Sequence, residues 1–170
     1  MKPVELAKHT IETYIKTGEI VVPPTQIIGI DVEQAGTFVS IKTELNELRG
    51  CIGTISPVYK TIQEEIIKNA IAAATQDPRF NPIEAGELNG LKISVDVLHK
   101  PEPITAIDQL DPIEYGIIVF SKSGKRALLL PNLEGVDTVE KQLSICKNKA
   151  GIAQNEPVAV QRFKVDRYYE

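Results

Sequence analysis

The chain has 170 residues, 42% hydrophobic and 25% charged, with 19 basic residues against 23 acidic ones for a formal charge of −4. That composition is ordinary for a soluble globular protein, and a chain of this length removes about 70% of its unfolded surface from water on folding. It argues against a disordered or membrane class and against a broad positive field for nucleic-acid backbones, so nucleic acid is disfavoured as a partner. Two cysteines, Cys51 and Cys146, are too few for a disulfide framework and form no Cys-x-x-Cys, which suits a reducing compartment. Residues 1–6 lack the apolar run of a secretory signal, and no stretch approaches the roughly 18 apolar residues of a membrane span. A cytoplasmic location without a membrane segment is expected.

In chain order, Val4, Ala7, Ile11, Tyr14 and Ile15 recur at helical spacing between Pro3 and Gly18, which predicts a first amphipathic helix. Residues 37–42 and 48–55 read as an antiparallel strand pair around a polar turn. Residues 61–75 carry Ile62, Ile66, Ala70 and Ala73 along one stripe, as in a helix lying on a sheet, with Glu64 and Glu65 on its solvated side. Asp77 to Pro82 holds two prolines and cannot be helical. A strand over 91–98 follows, then a hairpin over 115–120 and 126–130 with a glycine-containing turn. A third helix over 138–150 stops at Gly151, and residues 158–165 alternate as a last strand with Arg162, Lys164 and Arg167 near the surface. Strand pairs mixed with helices, without regular alternation, indicate an α+β fold with an antiparallel or mixed sheet flanked by helices.

Chemistry concentrates at Leu48-Arg49-Gly50-Cys51-Ile52-Gly53, where two glycines interrupt a strand. Glycine there marks a bulge or a close backbone approach. In an extended segment Arg49 and Cys51 share one face about 7 Å apart, close enough for the guanidinium to favour a thiolate. Cys51 is therefore the candidate nucleophile or acceptor, Arg49 its activator, and Gly50 and Gly53 the candidate floor of a binding groove. The alternative is that the segment packs the fold and Cys51 is an inert buried residue.

No histidine is tied to Cys51 by spacing; His9 and His99 are expected to be solvated. Asp77 and Arg79 either brace their loop or present an anion-binding group. Glu102, between Pro101 and Pro103, and Gln142, seven residues before Lys149 on the third helix, are further candidate binding residues, each with an ordinary surface role as the alternative. Cys146 sits on that helix's apolar stripe. Phosphate-loop, dinucleotide and zinc signatures are absent from the sequence, so no cofactor and no metal are expected.

The same segment resembles the six-residue signature of the AMMECR-one domain family, whose prokaryotic branch includes AmmeMemoRadiSam system protein A. The likeness extends from Phe38-Val39-Ser40 through residues 69–80, Pro101-Glu102-Pro103-Ile104, Leu128-Leu129-Leu130-Pro131 and Gly135-Val136-Asp137-Thr138-Val139 to Lys149-Ala150-Gly151-Ile152. It departs at residues 44–47, where relatives carry a shorter basic or glycine-bearing turn. The resemblance implies a single family domain over residues 1–170 with two lobes, expected here as 1–103 plus 156–170 (larger) and 104–155 (smaller), and a groove near Cys51. It also implies a genomic association with a Memo-type protein and a radical S-adenosylmethionine enzyme, and together with the Arg49–Cys51 reading it leads to the expectation of a small molecule or peptide as ligand in the groove. It supplies no reaction.

Overall fold

In the computed structural model, which describes residues 1–170, helix α1 (Pro3–Thr17) starts on a proline whose missing N–H is not needed there and ends on Gly18 at φ 75°. The chain divides into two compact units, Met1–Val97 with Asp166–Glu170, and Leu98–Val165.

In the first unit, strands β1 (Thr37–Lys42), β2 (Leu48–Gly53), β3 (Lys92–Leu98) and β8 (Val165–Tyr169) form a sheet in the order β2-β1-β3-β8, with β2 at an edge. Val39, Ile41, Ile93 and Val95 pack on one face against Ile66, Ile67, Ala70 and Ala73 of α2 (Ile62–Thr75) and against α1. The alanines of α2 let helix and strand approach closely: a Cβ placed on Gly50 would stand 2.2 Å from the Ala73 carbonyl oxygen. Asn46, at φ 63°, takes the left-handed position of the β1–β2 turn, the role a glycine would otherwise fill.

Glu65 is a correction to the solvated face expected for α2. It is wholly buried and accepts hydrogen bonds from the Thr54 hydroxyl and from the backbone N–H groups of Val58 and Tyr59, both at 2.9 Å. Residues 54–59 follow β2 and bring N–H donors onto the first turn of α2, and these donors require an acceptor.

The second unit contains β4 (Glu102–Pro103), β5 (Gly116–Ser121), β6 (Arg126–Leu129), β7 (Val158–Phe163) and α3 (Val139–Ala150). Its sheet has the order β4-β7-β5-β6, all antiparallel. Ile117, Val119, Leu129 and Cys146 lie in one apolar cluster. α3 starts at Thr138, whose hydroxyl accepts from the Lys141 N–H, and ends on Gly151 at φ 67°. The boundaries differ from the expected 104–155 because β7 pairs with β5 along six residues and with β4, which draws both flanking segments into this unit. The tail, expected as one strand, is two: β7 joins β5, and β8 joins β3. The break falls at Lys164, where neither a proline nor a glycine marks it in the sequence.

Candidate functional site

Cys51 lies on the edge strand β2, opposite Ser40 of β1, which is in turn opposite Ser94 of β3. The Cys51 N–H points outward to Asp77, so the Ser40–Cys51 pair is the kind without mutual backbone bonds, in which side chains come closest. The Ser40 hydroxyl donates to Cys51 Sγ at 3.1 Å. Val39 and Ile41 turn toward the helices, so Cys51, Ser40 and Ser94 form a row of small polar side chains on the sheet's other face. Cys51 is half-buried and in no disulfide.

The sheet edge beside Cys51 is covered by two side chains from the loop after α2. Asp77 Oδ2 accepts from the Cys51 N–H at 2.9 Å, and Arg79 Nη2 donates to the Cys51 carbonyl at 3.4 Å. Together the carboxylate and guanidinium occupy the place of a neighbouring strand, which is one way of closing an exposed edge. They are fixed to each other by Nη2–Oδ2 at 2.7 Å and Nε–Oδ1 at 3.0 Å, and the Arg79 N–H adds a third bond to Oδ1. The Asp77 side chain is 2% exposed and that of Arg79 55%. Arg79 holds the Asp77 carboxyl well below the usual carboxylate range, against the opposing effect of burial. The Arg79 guanidinium is itself pushed up, chiefly by the Asp77 hydrogen bonds and to a smaller extent by the charge of Cys51. Its Nη1 takes part in none of these bonds.

Arg49 requires a correction. Between Ile41 and Lys42 the register shifts, Ile41 facing Gly50 and Lys42 facing Leu48, so Arg49 is the extra residue of a β-bulge. A bulge re-aims its side chain. Arg49 grips Glu87, Nε–Oε1 at 2.7 Å and Nη2–Oε2 at 3.0 Å, and donates from Nη1 to the Asn81 carbonyl. Its guanidinium is spent on that brace, and the guanidinium bonded to the Cys51 backbone is that of Arg79. The Arg49 pair also lowers the Glu87 carboxyl. The Phe80 ring has both guanidinium groups near it, Arg49 at 6.0 Å and Arg79 at 5.5 Å from its centroid.

The two glycines accommodate the protein itself. Gly50 faces Ala73 of α2, and a Cβ on Gly53 would stand 2.3 Å from the Phe38 ring. Glu102 and Gln142 belong to the second unit. Glu102 pairs with Arg162 at 2.7 Å. Gln142 is fully buried rather than lining a cleft; its Nε2 donates to the Tyr115 carbonyl at 2.8 Å, and its Oε1 has no partner. Lys149 donates to the Leu128 carbonyl.

Sequence reasoning singled out Asp77, Arg79 and Cys51, which meet, and missed Ser40, Ser94 and Glu87. The two serines are visible only once the register of β1 is known. Glu87 sits in a short 3-10 turn, Ala85–Gly90, that has no periodic signal.

Cys146 provides the internal contrast. It is fully buried, and burial pushes its thiol up to about 11. Alkylation of native protein at pH 8 is expected to leave Cys146 unmodified, and rapid labelling there would contradict its placement.

No group of three or more histidine, cysteine or acidic side chains is placed to hold a metal ion, and no helix is long and apolar enough to cross a membrane. Comparison with known proteins gives a match of residues 4–169 to the AMMECR1 family model. A Thermotoga maritima protein is 46% identical over 167 residues, 97% of this chain and 95% of that protein. A Clostridium acetobutylicum protein is 45% identical over 98% of this chain, which spans only 36% of that longer relative. The crystal structure of uncharacterized protein PH0010 from Pyrococcus horikoshii superposes with a TM-score of 0.88 at 33% identity, covering 99% of this chain and 89% of that one.

Proposed function

The chain belongs to the AMMECR1 family, and from that premise we propose that it is a cytoplasmic component of a modification system that binds a small molecule or partner segment on the face around Cys51. The observation that carries this reading is the treatment of one thiol. It receives a hydroxyl hydrogen bond from Ser40, and the backbone on both sides of it is clamped by a carboxylate–guanidinium pair whose cation faces solvent. A hydrogen-bond donor and a nearby cation both favour the thiolate, the form that acts as nucleophile or acceptor. Arg79 thus takes the activating role expected of Arg49, and Ser40 positions the sulfur. A Memo-type protein and a radical S-adenosylmethionine enzyme are the partners that fit this reading.

The rate of Cys51 alkylation against pH tests it. Replacing Arg79 by Gln removes the cation and leaves the Asp77 charge nearby, so the thiolate is less favoured and the midpoint should move upward. Arg79→Lys should retain most of the wild-type profile. An unmoved midpoint, or no labelling until the protein unfolds, supports instead a non-catalytic interaction module in which Cys51 only packs.

A further inference from the structure

The second unit holds a separate cluster that the Cys51 reading does not use. A cleft of about 250 Å³ is lined by Lys100, Glu102, Tyr115, Arg162 and Lys164. Its geometry follows from strand pairing. Glu102 faces Arg162 across β4 and β7, and beyond that pair the His99 N–H donates to the Lys164 carbonyl at 2.9 Å, one residue out of the same register. Lys100 lies just before β4 and Lys164 just after β7, and both border the same cleft as the Glu102–Arg162 pair. The Tyr115 ring packs against both of the latter, 4.3 Å from the Arg162 guanidinium carbon and 5.3 Å from Lys164 Nζ.

The charges on this face are unequal. Glu102 is the one carboxylate of the lining, and Arg162 uses it, with Nε–Oε1 and Nη2–Oε1 both at 2.7 Å; Arg162 Nη1 meanwhile donates to the Gln109 carbonyl at 2.6 Å. Glu114 pairs with Lys164 at 2.6 Å, but both side chains are about half exposed, and such surface pairs exchange readily with water and ions. Lys100 is exposed and its ammonium takes part in none of these pairs. The fork that would read a planar carboxylate is therefore occupied, while the ammonium groups of Lys100 and of Lys164, the latter shared with the half-exposed Glu114, are the point charges an incoming anion meets. That combination suits a tetrahedral oxyanion, whose several oxygens reach both lysines at once.

We propose that this cleft binds the phosphate group of a small phosphorylated ligand, held between Lys100 and Lys164 and seated against Tyr115. The proposal is independent of Cys51 chemistry. It is tested by titrating the full-length protein with inorganic pyrophosphate at constant ionic strength and following backbone amide NMR shifts, with sodium acetate as the comparison anion. The expected result is a saturable shift at residues 99–102, 115 and 162–164, weaker with acetate, and a loss of affinity of about tenfold in the double variant Lys100→Ala, Lys164→Ala with an unchanged thermal melt. Absence of saturation, shifts confined to other residues such as the Arg79 loop, equal binding of acetate, or unaltered affinity in the double variant would each overturn it.

Discussion

Gly50→Ala is expected to destabilise the protein by about 3 kcal/mol or more, or to prevent folding, because the added methyl meets a backbone atom that cannot rotate away. The Cβ would lie 2.2 Å from the Ala73 carbonyl oxygen, a backbone atom in the last turn of α2. Relief requires moving β2 off the helix, and that movement also breaks the register of β2 with β1 and the clamp at Cys51. Gly86→Ala is the control. It sits in the short turn that carries Glu87, nothing lies within 4 Å of the position its methyl would take, and a change within about 0.5 kcal/mol is expected. Urea melts of the two variants against wild type measure the difference, and equal stabilities would contradict the close approach of α2 to β2.

Asp77→Ala is expected to cost roughly 2 to 4 kcal/mol at neutral pH. The substitution leaves the Cys51 N–H without its acceptor and strips Arg79 of its carboxylate, although the exposure of Arg79 screens part of that loss. The effect carries a pH signature with a definite sign. The folded Asp77 carboxyl titrates below its unfolded value of about 3.9, so its stabilisation is fully present above that value and is lost as pH falls toward the folded one. Wild type and variant should therefore differ most at pH 6 to 7 and converge below about pH 4. A stability gap that stays constant into acid would show that the carboxylate charge contributes nothing.

The elements most legible in the sequence were those whose pattern is local. The stripe of Ile62, Ile66 and Ala70 and the proline and glycine ends of α1 specify helices by themselves, and the alternation at Thr37–Lys42 specifies a strand. Burial of Glu65 and Gln142 was not legible, because each is compensated by groups outside its own helix, the Val58 and Tyr59 N–H groups in one case and the Tyr115 carbonyl in the other. At the site, alternation placed Arg49 beside Cys51, and one bulged residue was enough to send it to Glu87. Arg79 reached Cys51 instead because the proline-bearing loop after α2 returns along the edge of β2, a path fixed by tertiary packing and not by any spacing between positions 51 and 79.

The proposed function requires one sulfur to be chemically available in the folded protein, and peptide mapping after brief treatment of native protein with limiting iodoacetamide at pH 7.5 tests this most directly. A single adduct on Cys51, with Cys146 untouched and the fold intact, is the predicted result. Adducts that form on both cysteines together, and only once denaturant is added, would contradict it.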